Sequence, residues 1–273
     1  MNSSINTNMG AMIALQNLNV TQQELGVTQT RISTGMKVAS AKDNGAIFAI
    51  AQTQRGTSRA LGVVQESLAR SQSTVDVASA AGSVVQDLLL QMKEKALAAV
   101  DDSIDPTSRS IFNIDFKALR DQITKAINNA AFNGVNILSG TGISALANDT
   151  GVSKLTVLGQ TMALGGAIVT VGLATSFSTA ATASAALALV NASIVNVSTS
   201  LAKLGTSSRI LGQHKDFISK LVDAVDTGIG NIVDADLSKE SAKLQALQTK
   251  QQLGYQSLSI ANQGPQSLLS LFK

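Results

Sequence analysis

The sequence predicts a mainly α-helical protein: a long antiparallel helical bundle with coiled-coil packing, a small β-hairpin region, and N- and C-terminal helices that pair with each other. Two observations carry this prediction. Apolar residues recur at heptad spacing through most of the chain, which is typical of helices that pack along their whole length. The two chain ends resemble each other and differ from the rest of the chain. Each has lines of apolar residues on two opposite helix faces, with Gln, Asn, Ser and Thr between them.

Three long helices are predicted between the chain ends, at about 44–100, 105–131 and 187–232. In each helix the apolar residues repeat at intervals of three and four, which keeps them on one face. The middle helix opens with Asp105 and Pro106, a start signal, because Asp can cap a helix and Pro suits its first position. Together the three faces predict an antiparallel bundle.

A small β region is predicted at about 135–173, where the helical period is lost. Lys154–Leu158 and Ile168–Gly172 are short, rich in β-branched residues and separated by Gly-rich sequence. Such runs favour a β-hairpin, and we expect these two to be its strands.

The chain ends carry apolar lines on two sides, and a helix of that kind cannot bury both against one neighbour. We therefore expect the ends to pair with each other and then with other copies of the chain, which predicts a polymer. The capping pair Asp234 and Asp236 is expected to begin the C-terminal helix. The predicted assembly residues are Ile13, Leu18, Val20, Leu25, Val27 and Ile32, and Leu237, Leu244, Leu253, Leu258 and Ile260.

Three stretches of the sequence resemble bacterial flagellin. Residues 5–52 read INTNMGAMIALQNLNVTQQELGVTQTRISTGMKVASAKDNGAIFAIAQ, residues 118–140 read ALRDQITKAINNAAFNGVNILSG, and residues 233–273 read VDADLSKESAKLQALQTKQQLGYQSLSIANQGPQSLLSLFK. Such long collinear patterns are highly specific. The resemblance implies a structural subunit that self-assembles into the flagellar filament for swimming motility.

The resemblance also implies a domain organisation. Residues 1–43 and 234–273 are expected to form a discontinuous filament-core domain, and residues 44–233 a rod domain. Longer flagellins carry outer domains in the interval that corresponds to residues 140–187. Because that interval holds little beyond the predicted hairpin, we expect a short form without outer domains.

The expected partners and location follow from the resemblance as well. They are other subunits, the flagellar type III export machinery, a C-terminus-binding chaperone and the filament cap, with the protein extracellular in the filament. The N-terminus has no basic region followed by a long apolar run, so it does not predict a secretory signal peptide. From the residues alone the protein would be placed in the cytoplasm. The resemblance instead implies export guided by an unstructured N-terminal segment.

Two groups of residues match functional positions of flagellins. Arg31, Lys42 and Asp43 stand where flagellins have a charged elbow between core and rod domains. The alternative is an ordinary polar loop between two helices.

The second group matches the helix that an animal Toll-like receptor detects in many flagellins, whose pattern is LQRVRELAVQ. Here the stretch reads LLQMKEKALA, with Leu90, Gln91 and Glu94 at the equivalent positions. Gln91 replaces an Arg, which removes a charge and a planar hydrogen-bonding fork. We expect weak or absent detection by this receptor.

No residue pattern predicts catalysis, a cofactor or a metal site. The chain has no Cys and a single His, His214, so neither a thiolate nor the ligand set of a zinc site is available. A net charge of +3, dispersed along the chain, gives no reason to expect nucleic acid as a partner. Polar residues interrupt the uncharged segment 155–202, so membrane insertion is not expected.

Three alternatives remain open at this point. The first is a hook-filament junction protein, and the second is a flagellin-like surface protein that binds glycans or host receptors. The third concerns modification: the many Ser and Thr residues from Thr141 to Thr182 could carry O-linked sugars, as flagellins often do, or could simply form a polar surface.

Overall fold

The computed structural model describes the backbone of residues 7–271 and the side chains of residues 7–263. The helices and strands follow in this order: α1 (Met9–Thr34), α2 (Gly45–Val100), α3 (Pro106–Asn128), β1 (Ile143–Leu146), β2 (Lys154–Val157), α4 (Ala180–Val233) and α5 (Leu237–Leu271). The mainly helical fold class with a small antiparallel sheet is confirmed. The predicted unstructured export segment at the N-terminus includes residues 1–6, which lie outside the described residues.

The chain divides into two compact units. Unit 2 comprises Thr57–Asp223, and unit 1 comprises the chain on either side of it. This division falls within α2 and within α4. The predicted core and rod domains, with boundaries at 43/44 and 233/234, stay a prediction.

The helix boundaries agree with the sequence at most ends. Asp105 caps α3, since its carboxylate accepts hydrogen bonds from the backbone N–H groups of Thr107 and Ser108, and Pro106 is the first residue of the helix. α4 begins at Ala180, earlier than the predicted start at 187. The reason is local, because Thr179 accepts the Thr182 N–H on its hydroxyl and thereby starts the helix in the Ala-rich entry segment.

In unit 2, α2 packs antiparallel to both α3 and α4. Near the C-terminal end of α2, the Lys95 ammonium lies 2.8 Å from the Asp115 carboxylate of α3. On the α4 side, Gln86 donates a hydrogen bond to the Ser198 hydroxyl at 2.9 Å. The Ser208 hydroxyl, ten residues later on α4, instead reaches the Asp76 carboxylate, ten residues earlier on α2.

The core of unit 2 is filled by large apolar side chains from all three helices. Leu68, Leu89 and Ile218 are fully enclosed. The rings of Phe116 and Phe177 meet edge to face with centroids 5.2 Å apart. Burial of side chains of this size stabilises a fold by about 1.5–3 kcal/mol each.

The prediction of the hairpin was right in one strand and wrong in the other. β2 lies where expected, but it pairs with β1, with Ala145 opposite Leu155, and the segment 168–172 is not a strand. Val169 and Val171 are buried, and the Thr170 N–H donates to the Ser193 hydroxyl of α4. The Val171 carbonyl oxygen accepts from the Gly165 N–H, so these two backbone groups are satisfied without a partner strand.

In unit 1, α1 and α5 form an antiparallel pair. The Asn8 amide donates to the Ala261 carbonyl oxygen at 2.7 Å, and the Arg31 guanidinium lies 3.1 Å from the Glu240 carboxylate. Between these two ends, the Gln22 amide donates to the Tyr255 hydroxyl.

The loops next to this pair are joined by backbone hydrogen bonds. Gly35 ends α1 in the left-handed conformation at φ 71°, and its carbonyl oxygen accepts from the Ala235 N–H. The Lys37 N–H donates to the Val233 carbonyl oxygen at 2.8 Å. Asp236 then caps α5 through the backbone N–H groups that follow it, as the sequence predicted for this pair of Asp residues.

Among the described residues, one helix, α4, is long and apolar enough to cross a membrane by length and composition alone. Polar residues interrupt every apolar run of segment 155–202, whereas the mean hydropathy over one 18-residue stretch of α4 stays high. Val190, Val197 and Leu204 of α4 are buried in the core of unit 2. Packing in the helical bundle therefore accounts for the apolar residues at these three positions.

Candidate assembly interface

The seam of the α1–α5 pair mixes Leu residues with small and polar ones. On α1 the buried residues are Ala14, Leu18, Thr21 and Thr28. On α5 the seam holds Glu240, Leu244, Leu247, Gln251, Gly254, Leu258 and Ala261, of which Leu247 is the most enclosed. These positions step by three and four, as in a coiled coil.

The large apolar residues of the second line face outward. Ile13, Val20 and Val27 of α1 are 54%, 46% and 47% exposed, and Leu253 and Ile260 of α5 are 60% and 63% exposed. We call these five residues the outer stripe. Among the described residues of the single chain, no neighbour covers them. Exposed apolar residues that form a continuous surface mark an interaction site.

The other predicted assembly residues lie on or near the seam. Leu18 is buried, and Leu25, Ile32, Leu244 and Leu258 are half-buried, whereas Leu237, in the first turn of α5, is exposed. Thr21, Thr28 and Leu247 are also buried on this seam but were not predicted. Steps of three and four from Leu18 reach Thr21 and Thr28 if polar residues are allowed on the seam, and a step of three from Leu244 reaches Leu247.

A half-open cavity of about 370 Å³ lies beside Gly254 on this pair. Asn17 and Leu18 of α1 line it together with Leu253 and Ser257 of α5. Gly254 has no side chain to fill the space, and a Cβ there would lie 3.2 Å from Leu18 Cδ1. The cavity therefore joins the seam to the outer stripe at Leu253.

The predicted elbow residues are not joined in one ion pair. Arg31 pairs with Glu240 of α5 rather than with Asp43. Asp43 accepts hydrogen bonds from the Ala39 and Ser40 N–H groups, and the Ser40 bonds above all hold the pKa of its carboxyl below the usual value. Arg31 and Asp43 nevertheless line one cavity of about 490 Å³, and Lys42 is exposed.

The receptor-epitope positions lie on an open face of α2. Leu90, Gln91 and Glu94 are all exposed. One turn away, Lys95 is tied to α3 through Asp115. The face that carries the Arg-to-Gln replacement is therefore accessible in the single chain.

The single histidine links the hairpin to α4. His214 Nε2 lies 2.9 Å from the Ala147 carbonyl oxygen, and its ring contacts Phe217 with centroids 5.8 Å apart. Within the part of the chain that the structure describes, no three His, Asp or Glu side chains are grouped so that they could hold a metal ion. His214 is thus a packing residue with one polar contact.

A self-contained helical bundle attached to a helix pair with an outward apolar stripe defines a class of protein: a structural subunit that assembles with copies of itself. The comparisons with known proteins identify the family within this class. Residues 5–142 match the bacterial flagellin N-terminal helical region, and residues 187–272 match the bacterial flagellin C-terminal helical region.

Full-length relatives agree with these matches. The chain is 55% identical to flagellin FljM of Caulobacter vibrioides and 36% identical to a flagellin of Brucella melitensis, over 99% of both chains in each case. A solved structure described as a flagellar hook-associated protein of Vibrio parahaemolyticus covers 70% of this chain and 100% of its own, with a TM-score of 0.57. At 18% identity that likeness shows the fold alone.

The chain belongs to the bacterial flagellin family, whose members are structural subunits that polymerise into the flagellar filament. It is a short form: between residues 140 and 180 the structure describes only the hairpin and loops. The relatives named above are matched over nearly their whole lengths.

Proposed function

We propose that this subunit assembles into a filament whose core is formed by the α1–α5 pair, with the outer stripe as the contact between copies. The observation that carries the proposal is the outward position of five large apolar residues on a pair whose seam mixes Leu with Thr, Gly, Ala and Gln. Because these side chains are about half exposed, covering each of them on assembly would contribute roughly half of the about 1.5–3 kcal/mol that full burial gives.

The same observation supports a mechanism of assembly. Because much of the seam is small or polar, pairing of α1 with α5 alone contributes little free energy of folding. The chain ends therefore remain largely disordered until other copies cover the outer stripe. Ordering then takes place on incorporation at the filament tip. The bundle of unit 2 has its own core and supplies contacts along the filament.

Seeded polymerisation followed by electron microscopy tests the proposal. Full-length protein is compared with a chain that lacks residues 234–273. The proposal expects filaments from the full-length chain only, while circular dichroism shows an intact helical bundle in the truncated one. If the truncated chain polymerises equally well, unit 2 carries assembly and the proposal is wrong.

Export and location are part of the proposal. The subunit leaves the cell through the flagellar type III export machinery, a chaperone binds its C-terminal segment before export, and the filament cap guides incorporation outside the cell. Membership of the flagellin family supports this sequence of events. Pull-down from the native bacterium with the 234–273 segment as bait should recover a chaperone, and the same segment with Leu244 and Leu258 changed to Asp should not.

Two further residue roles are proposed. Arg31, Lys42 and Asp43 form the elbow between core and rod, supported by the cavity that Arg31 and Asp43 share with Lys37.

Exposed Gln91 in place of Arg weakens detection by the animal Toll-like receptor. A reporter-cell assay should give a stronger signal with the Gln91→Arg variant than with the native chain, and equal signals would refute this role.

The proposed non-enzymatic role accords with the structural role of the family.

Glycosylation is a separate proposal. The hydroxyls of Thr150 and Ser153 are exposed in the loop between β1 and β2, and that of Ser176 is exposed between β2 and α4, which supports their modification. Intact mass of protein from the native bacterium should exceed the mass of the bare sequence, and an equal mass would exclude the sugars.

A further inference from the structure

One heptad position on α1 faces one heptad position on α5 along the whole pair. On α1 the position is held by Gly10, Asn17, Glu24 and Arg31, and on α5 by Ala261, Gly254, Leu247 and Glu240. At one end, a Cβ placed on Gly10 would lie 3.9 Å from Ala261 Cβ. At the other end, Arg31 Nη1 lies 3.1 Å from Glu240 Oε1.

The remaining seam does little to fix this alignment. A shift of α5 by seven residues preserves the heptad pattern. Thr21 would then meet Leu244 or Leu258 in place of Gln251, and Gln251 would meet Ala14 or Thr28, and none of these contacts brings like charges together. Leu18 fits against Gly254 in the observed alignment. After a shift it would meet Leu247 or Ala261, and neither contact is forbidden.

Charge, however, distinguishes the alignments. A shift in one direction brings Glu240 opposite Glu24, which occupies the position of Arg31 one heptad earlier. Attraction between unlike charges is then replaced by repulsion between two carboxylates. A shift in the other direction brings Arg31 opposite Leu247 and Glu240 opposite Val38, so that both charges lose their partner.

Burial makes the loss of this partner costly. The side chains of Arg31 and Glu240 are only 33% and 12% exposed. Among the described residues, the enclosed Glu240 Oε2 has no hydrogen-bond partner, and Arg31 at Oε1 is the cation that pairs with this carboxylate. A partly buried carboxylate left without its cation destabilises the arrangement that buries it.

We infer that the Arg31–Glu240 pair sets the register of α1 against α5, and that Glu24 penalises the register shifted by one heptad. The inference deepens the proposed function, because it rests on the α1–α5 pair as the filament core. A shift by one heptad would displace Leu253 and Ile260 by about 10 Å relative to Val20. The outer stripe would then no longer present one continuous surface to the next copy.

The absence of Cys from the chain allows a direct measurement of register. Gln22→Cys with Tyr255→Cys reports the observed register, since these side chains are in contact. Gln22→Cys with Gln248→Cys reports the shifted register, because Gln248 lies seven residues before Tyr255. Filaments of each pair are treated with a bismaleimide whose spacer is shorter than the about 10 Å that one heptad spans. Copolymers of the single-Cys chains identify any cross-link between different subunits.

The informative variant is Glu240→Arg, which places two cations together in the observed register and an Arg opposite Glu24 in the shifted one. The ratio of the 22–255 cross-link to the 22–248 cross-link should fall by about fivefold or more. Adding Glu24→Gln should remove the attraction that favours the shifted register and raise the ratio again. Adding Arg31→Glu should restore an ion pair in the observed register and also raise the ratio.

The matched control is Glu66→Arg, which makes the same charge change at an exposed ion pair of unit 2, with Arg70. It should leave the ratio unchanged. If Glu240→Arg also leaves the ratio unchanged, or if Glu24→Gln has no effect on that background, the inference is wrong.

Assembly itself distinguishes this inference from the proposed function. If the Cys-bearing chains without charge changes form filaments, the proposed function stands whatever the ratios show. If Glu240→Arg forms no filaments even when mixed into an excess of native chain, the Arg31→Glu/Glu240→Arg chain decides. Recovery of filaments supports the register role, and no recovery overturns it.

Discussion

The two units of this subunit bury different kinds of residue. In unit 2, α2, α3 and α4 enclose Leu68, Leu89 and Phe116 completely. In unit 1, the α1–α5 seam encloses Thr21 and Thr28, while Leu253 and Ile260 stay outside. The difference supports the proposal that unit 2 is stable within one chain, whereas the terminal helix pair requires other copies to cover its apolar side chains.

The largest expected effect is on the core of unit 2. Phe116→Ala removes a fully enclosed ring that packs edge to face on Phe177, and it should lower the free energy of unfolding by about 3–5 kcal/mol. Ile114→Ala on the exposed side of the same helix should change it by less than about 0.5 kcal/mol. Denaturant unfolding of the free subunit measures both. Equal losses would mean that unit 2 lacks the self-contained core described here.

The outer stripe is expected to show the reverse behaviour. Leu253→Asp should abolish seeded polymerisation, because a charge would be buried between copies, yet it should leave unfolding of the free subunit unchanged. Gln252→Asp adds the same charge one position away on α5 and serves as the control. Electron microscopy and unfolding curves give the two readouts. If both variants block filaments alike, the contact does not depend on the stripe.

A smaller effect is expected at the seam. Gly254→Leu brings a side chain against Leu18, where even a Cβ would lie at 3.2 Å, and it should destabilise the filament by about 1–3 kcal/mol. Gly26→Leu on α1 is the matched control, because a Cβ there meets no atom within 4 Å. The measurement is the temperature at which filaments depolymerise. An unchanged temperature for Gly254→Leu would contradict the close approach of α1 and α5.

The smallest effect is expected at the cap of α3. Hydrogen bonds from Ser108 and Thr107 lower the pKa of Asp105 from 3.8 to about 2. Since the folded pKa lies below the unfolded one, the contribution of this carboxylate is complete above about pH 4 and is lost as the pH falls towards 2. Asp105→Asn should make the melting temperature less sensitive to pH over that interval. A pH dependence equal to that of the native chain would contradict the charged cap.

The sequence was informative wherever apolar spacing determined the structure. The boundaries of α2 and the cap of α3 at Asp105 follow from periodicity and capping chemistry. The pairing of β2 with β1 could not be predicted. The segment 168–172 has the composition of a strand, but Thr170 bonds to Ser193 of α4, and a local sequence pattern does not reveal that contact. The two apolar lines of each terminal helix could be recognised in the sequence. Apolar spacing does not reveal that Thr21, Thr28 and Gly254 lie on the seam between α1 and α5.

The central claim is that the terminal helices are complete only in contact with copies. Hydrogen exchange of the same protein, first as free subunits and then as filaments, tests it most directly. The account predicts that backbone amides of α1 and α5 exchange rapidly in the free subunit and become protected in the filament, while the α2, α3 and α4 amides of unit 2 are protected in both. Protection of α1 and α5 in the free subunit equal to that in the filament would contradict it.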